Sequence, residues 1–225
     1  MKPISELAVL LLAATITATA QPPRVGFVRM VNAVAPGEGT SRIRINGEDI
    51  FPKGYELGQM TGGMGLRQGP HTISFERKGV ESGNTGIALD AGETVTLIGF
   101  AEKQEAKQDE PEKPAWKTRI LRLRQKSPEK GYHLTFVSVC DLEDVVVNAG
   151  SPGSRKPEFV RVRRLTTSSL NIGGRRNEVL VRDRERMLLT VSPDHPGNYV
   201  IVLYQDAQCT LRALSFYDPK FVIAG

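Results

Sequence analysis

The feature that most constrains this chain is that it repeats itself. Residues 61 to 77, TGGMGLRQGPHTISFER, fall without a gap on residues 167 to 183, TSSLNIGGRRNEVLVRD. Thr61 lands on Thr167, Met64 on Leu170, Leu66 on Ile172, Ile73 on Val179 and Phe75 on Val181. The apolar positions agree while the polar ones drift, as happens when two copies keep a core and diverge on the surface. With small gaps the match extends both ways: GETVTLIGFAE (92 to 102) lies over GNYVIVLYQD (197 to 206), and RIRINGEDI (42 to 50) over DVVVNAGSP (144 to 152). Each unit closes on one more strand with a proline turn, TRILRLRQKSP (118 to 128) and TLRALSFYDP (210 to 219). Two modules are expected, roughly 24 to 128 and 130 to 225.

Each module reads as about seven short strands parted by Gly, Pro, Asn and Asp clusters, with no long helical periodicity. In the first, the strands are expected near 25 to 32, 42 to 46, 55 to 60, 72 to 77, 85 to 90, 94 to 101 and 117 to 124. A sheet with one apolar face must bury it against another, so the expected fold is all-β, two tandem immunoglobulin-like β-sandwiches. The Cys, Trp, Cys core of antibody domains is absent, and the expectation concerns architecture only.

Four glycines at 62, 63, 65 and 69 could suggest a phosphate cradle. Such a loop needs a following helix, whose free N-H groups and dipole hold the anion. After Pro70 the pattern is instead a period-2 alternation with Ile73 and Phe75 on one face, and the Gly-Lys-Ser/Thr ending is missing. The glycines are therefore read as β-turns.

The stretch VRMVNAVAPGEGTSRIRINGEDIF, followed by GPHTISF, AGETVTLIGFAE and ILRLRQ, resembles a family of secreted bacterial β-sandwich domains of unknown function. Its members carry a VRVVNAS-like strand, a VNG strand and an AGTYTV-like strand. Val28 to Ala33, Ile45 to Gly47 and Gly69 to Phe75 carry the resemblance. It implies export and a sandwich fold, and it brings no catalytic residues. Module two, with FVSVCD and VVVNAG, departs from the motif and joins through the repeat.

Residues 1 to 20, MKPISELAVLLLAATITATA, have a lysine near the start, an apolar run from Leu7 to Ile16 and an Ala-Thr-Ala end in the form of a signal-peptidase site. Cleavage before Gln21 and a periplasmic or secreted location are expected. The run is shorter than the roughly 20 residues of a membrane span, and no cysteine at the site offers a lipid anchor, so no transmembrane segment is expected in the mature form. The charged run KQEAKQDEPEKP, 103 to 114, falls between the last two strands of module one and is read as a solvated loop.

Chemistry is sparse. His71, His133 and His195 form no zinc-binding spacing, and no G-x-S-x-G elbow is present. Asp194 beside His195 sits in SPDHPG, a turn signature rather than a catalytic pair. No catalytic residue, metal ligand or cofactor is assigned. Cys140 and Cys209 lie in the same module of an exported chain and make a disulfide candidate.

Charge is split between the modules. From Gln21 to Trp116 there are 11 Lys and Arg against 13 Asp and Glu, and from Lys117 to Gly225 18 against 11, so the basic excess belongs to module two. On strands, Arg161 and Arg163 share one face, and Arg182, Arg184 and Arg186 another. These five are the candidate anion-binding residues, since guanidinium groups suit phosphate and carboxylate. Nucleic acid is not expected, because the protein is exported and the rows lack interleaved aromatics. The expected function is binding or structural and non-enzymatic in the cell envelope, with an envelope protein or an anionic polymer as partner. The other readings are polymer binding by the basic module and a small hydrolase with an unrecognised site.

Overall fold

The computed structural model describes residues 24–104, 115–125, 131–152, 156–173 and 178–219. The expected signal peptide, most of the charged loop at 103 to 114, and Arg175 and Arg176 lie outside these residues. Among the described residues there are strands and no helix.

The first half supplies β1 (Val25–Ala33), β2 (Glu38–Ile45), β3 (Glu48–Asp49), β4 (Met64–Arg67), β5 (Gly69–Lys78), β6 (Val80–Leu89), β7 (Thr94–Lys103) and β8 (Trp116–Arg124). They form one eight-stranded sheet in the order β3-β2-β5-β6-β8-β7-β1-β4. Its two four-stranded halves are joined only through a single pairing of Glu81 on β6 with Lys117 on β8, whose side chains also form an ion pair. The sheet curls at that joint like a half-barrel, so Val28 and Met30, Ile43, Ile73 and Phe75, Ile87 and Leu97 meet in one core. Phe75 fits because β7 carries Gly99 beneath it: a Cβ there would lie 2.4 Å from the phenyl ring.

The second half supplies β9 (Tyr132–Ser138), β10 (Asp144–Gly150), β11 (Glu158–Arg163), β12 (Thr167–Gly173), β13 (Val179–Asp183), β14 (Arg186–Val191), β15 (Gly197–Gln205) and β16 (Leu211–Tyr217). Here there are two separate four-stranded sheets, β11-β10-β13-β14 and β12-β9-β15-β16. They share a core of Leu134, Phe136, Val147, Val162, Val181 and Ile201, among others. The pairings run in the same order as in the first half. β1 lies between antiparallel β4 and parallel β7, and β9 lies between antiparallel β12 and parallel β15.

A third core joins the halves. Val31, Ala33, Ile98 and Phe100 of the first half pack on Val137, Val200, Val202 and Phe216 of the second. The β8-β7-β1-β4 part of the first sheet and the β12-β9-β15-β16 sheet lie back to back, which explains why β7 and β15 read as near-continuous apolar runs. Both faces of these strands are buried. At one end of this junction the apolar packing gives way to Arg29, whose guanidinium is 3.3 Å from Asp218 with both side chains nearly inaccessible. The guanidinium also lies 4.3 Å from the centre of the Phe216 ring, and Gln125 donates to the Asp218 carboxylate. Burial lowers the Arg29 pKa and raises that of Asp218 despite their attraction. Burial opposes the charged form of each group, and their mutual attraction favours it.

Two local expectations need correction. The span 55 to 60 is not a strand; only isolated bridges, Ser41 with Tyr55 and Val31 with Met60, occur there. The glycine stretch, read as turns, instead contains β4, which includes Gly65 and pairs with β1. Of the four glycines only Gly69 has a positive φ, at 133°. It opens strand β5 and not a helix.

Candidate functional site: the outer face of the C-terminal sheet

Strand β11 alternates strictly. Val160 and Val162 point into the core, so Phe159, Arg161 and Arg163 point outward. Cross-strand register extends this face over the whole sheet: Phe159 stands opposite Asn148, Asn148 opposite Arg182, and Arg182 opposite Met187. The neighbouring pair is Arg161 and Val146. Phe159 is 73% exposed, and Val146 and Met187 are each 44% exposed. Surface apolar side chains are common singly, but a cluster on one face marks a contact surface.

The arginines differ in their freedom. No described carboxylate lies within ion-pairing distance of Arg161, Arg182 or Arg184, whereas Arg163 is 4.0 Å from Glu143 with both groups largely in solvent. The expected row of Arg182, Arg184 and Arg186 does not exist. β13 ends at Asp183, Arg184 occupies the hairpin turn with φ 54°, and Arg186 begins β14. Period-2 reasoning failed because the chain reverses within the row. Arg186 is also committed, to Asp183 at 3.0 Å and to the Leu211 carbonyl at 3.0 Å.

Beside this row the sheet is incomplete. β10 pairs with β11 from Asp144 to Ala149 but with β13 only from Asn148 to Gly150. The hairpin of β13 and β14 turns back early, and the remainder of β10 borders an open groove of about 850 Å³. Leu142, Val146, Phe159, Arg184, Arg186 and Thr210 line it, together with Asp144, Asp183 and Glu185. Gln205 holds the base of the groove by accepting from the Asp141 N–H at 2.9 Å and donating to the Cys209 carbonyl at 3.3 Å.

The disulfide expectation is overturned: both cysteines are free. Cys140 follows β9 and is buried in the second core, where desolvation pushes its thiol up to about 11. Cys209 is exposed in the turn before β16, with φ 58°, rather than on a strand facing that core. Two of the histidines lie at hydrogen-bonded positions. His71 bonds Asn46 and the Arg67 carbonyl, and the turn around His195 is pinned by the Tyr199 hydroxyl, which accepts from its N–H and donates to its carbonyl. Among the described residues no three His, Cys, Asp or Glu side chains gather as a metal site.

Sequence reasoning missed Phe159 although its signal was present, since it stands two residues before Arg161 on the same alternation. The groove had no such signal, because it depends on where a ladder stops. No protein-family model matches the chain, and comparison with curated proteins returns no match.

Proposed function

We propose that this is an exported, non-enzymatic binding protein of the cell envelope, built from two copies of one immunoglobulin-like unit, that takes an anionic partner on the outer face of its β11-β10-β13-β14 sheet. Support for two copies comes from the repeat and from the matching order of strand pairing in the two halves. The resemblance to secreted bacterial β-sandwich domains supports export, as does the signal-peptide pattern at residues 1 to 20.

The observation that carries the binding reading is that Arg161 and Arg182 stand on the outer face without a described carboxylate, beside Phe159 at 73% exposure. Arginine fields that are neutralised internally have little to offer a ligand. An unneutralised field on a rigid sheet is preorganised for carboxylate or phosphate.

The test is titration of the full-length protein with polyglutamate and with polyphosphate at low and physiological salt, alongside a variant with Arg161, Arg163, Arg182 and Arg184 changed to glutamine. Binding by the native chain that weakens with salt and is lost in the variant supports the reading, because such contacts are screened over about 10 Å at 0.1 M salt. Equal binding by both forms rejects it.

A further inference from the structure

We infer that the groove beside β10 is a strand-addition site, which accepts an extended segment of another protein as an extra strand next to Asp144–Val147. The inference rests on the reading of this face as a binding surface and adds the chemistry of its partner. Three observations converge on it.

The first is the backbone. Asp144 to Val147 have a ladder partner on the β11 side, but the pairing with β13 begins only at Asn148. A strand presents N–H and C=O groups alternately to both sides, so this stretch offers donors and acceptors toward the groove. Phosphate or glycan polymers do not reproduce that alternation; an extended polypeptide at the usual spacing of about 4.8 Å does.

The second is the side-chain pattern. Val146, Phe159 and Leu142, exposed by 44%, 73% and 48%, supply apolar contacts along one side of the groove. An added strand projects every second side chain to one face, so its apolar residues can meet this group in register. Phenylalanine, methionine and arginine are enriched in protein contact surfaces, and the face that adjoins the groove presents Phe159, Met187, Arg161 and Arg182 together.

The third is charge. Arg184 lines the groove, and Arg161 and Arg182 stand on the outer face that adjoins it, all three without described carboxylate partners; of the groove's own carboxylates, Asp183 is held by Arg186, while Asp144 and Glu185 line the opening. The segment that fits turns its carboxylates toward the arginine face, away from Asp144 and Glu185, beside its apolar side chains. An anionic polymer without apolar groups would leave Phe159 and Val146 unused.

The probe is a short synthetic peptide that alternates glutamate with valine and phenylalanine, tested on the full-length protein against the same peptide with a central proline, and against polyglutamate. Binding is followed by calorimetry and by hydrogen exchange at the amides of residues 144 to 147. The inference expects binding of the alternating peptide, slowed exchange at those amides, and roughly tenfold weaker binding of the proline form, which cannot complete a ladder. Val146→Asn, a neutral change at an exposed position, should weaken the peptide several-fold by removing an apolar contact and leave polyglutamate unaffected.

Polyglutamate binding as tight as the alternating peptide, without exchange protection at 144 to 147, overturns strand addition and leaves the anion-binding face intact. Peptide binding indifferent both to Val146→Asn and to the arginine changes overturns the two together. Self-association of the protein through this edge, seen as a concentration-dependent mass in the absence of peptide, overturns a foreign segment as the occupant.

Discussion

The two outer sheets follow the same strand order and end differently. In the first half, β2 meets β5 from Ile45 to Arg42, leaves residues 39 to 41 without a β5 partner, and after a register shift pairs once more, Glu38 with Lys78 at the end of the hairpin. An ion pair of 2.7 Å closes that corner. On the same sheet Arg44 is shared between Asp49, at 3.0 Å, and Glu76. In the second half the corresponding ladder stops at Asn148, and the guanidiniums of Arg161 and Arg182 have no described carboxylate. A ladder resumed at its far corner, with its charges paired, closes that edge. A ladder not resumed leaves backbone and charge available, so two halves with the same strand order differ in what their outer faces offer through one register shift and a few charge changes.

The comparison can be broken most severely at the cores, where the halves should be equally dependent on packing. Phe75→Ala, at a fully buried position over Gly99, should cost about 3–5 kcal/mol. Urea unfolding should show one transition for the whole molecule, because the third core couples the halves. Two separated transitions would make the halves independent.

Next in size is the junction between them. Arg29→Met should cost about 3 kcal/mol at neutral pH by leaving the Asp218 carboxylate buried without its cation. The sign with pH follows from the raised pKa of Asp218. A raised carboxyl contributes most below its unfolded value of about 3.9 and loses that contribution as pH rises through the folded value. The cost of Arg29→Met should therefore shrink on acidification, measured as unfolding midpoints across pH. A replacement of both residues, Arg29→Met with Asp218→Leu, should recover most of the loss.

Smaller effects separate the two faces. Arg161→Gln with Arg182→Gln should leave stability within about 0.5 kcal/mol and weaken polyglutamate binding by roughly tenfold. Arg44→Gln should do the reverse, with a stability loss of up to about 1 kcal/mol and unchanged binding. Smallest is the thiol readout at pH 8: Cys209 should react with an alkylating reagent in the folded protein, and Cys140 only after unfolding, since its thiol is buried and raised to about 11.

Much of the strand content was legible because alternation and turn residues are local. Val25–Ala33, Gly69–Lys78 and Thr94–Lys103 overlap the expected strands at 25 to 32, 72 to 77 and 94 to 101. β4 was not legible, since Met64 and Leu66 alternate with glycines whose local preference is for turns. The burial of β15 on both faces was visible as the unbroken run YVIVLY, but the surface it meets lies on the other half of the chain. Of the candidate site, Arg161 and Arg163 were placed correctly on one face of a strand. The arrangement of Arg182, Arg184 and Arg186 was not, because a two-residue reversal costs the sequence nothing in periodicity.

The contact between Arg29 and Asp218 joins residues near the two ends of the described chain. Tension applied between those ends would enter through β1 and leave through β16, which are inner strands on either side of the third core. A pull between the two ends would therefore meet the buried ion pair and the apolar junction before any outer strand pairing.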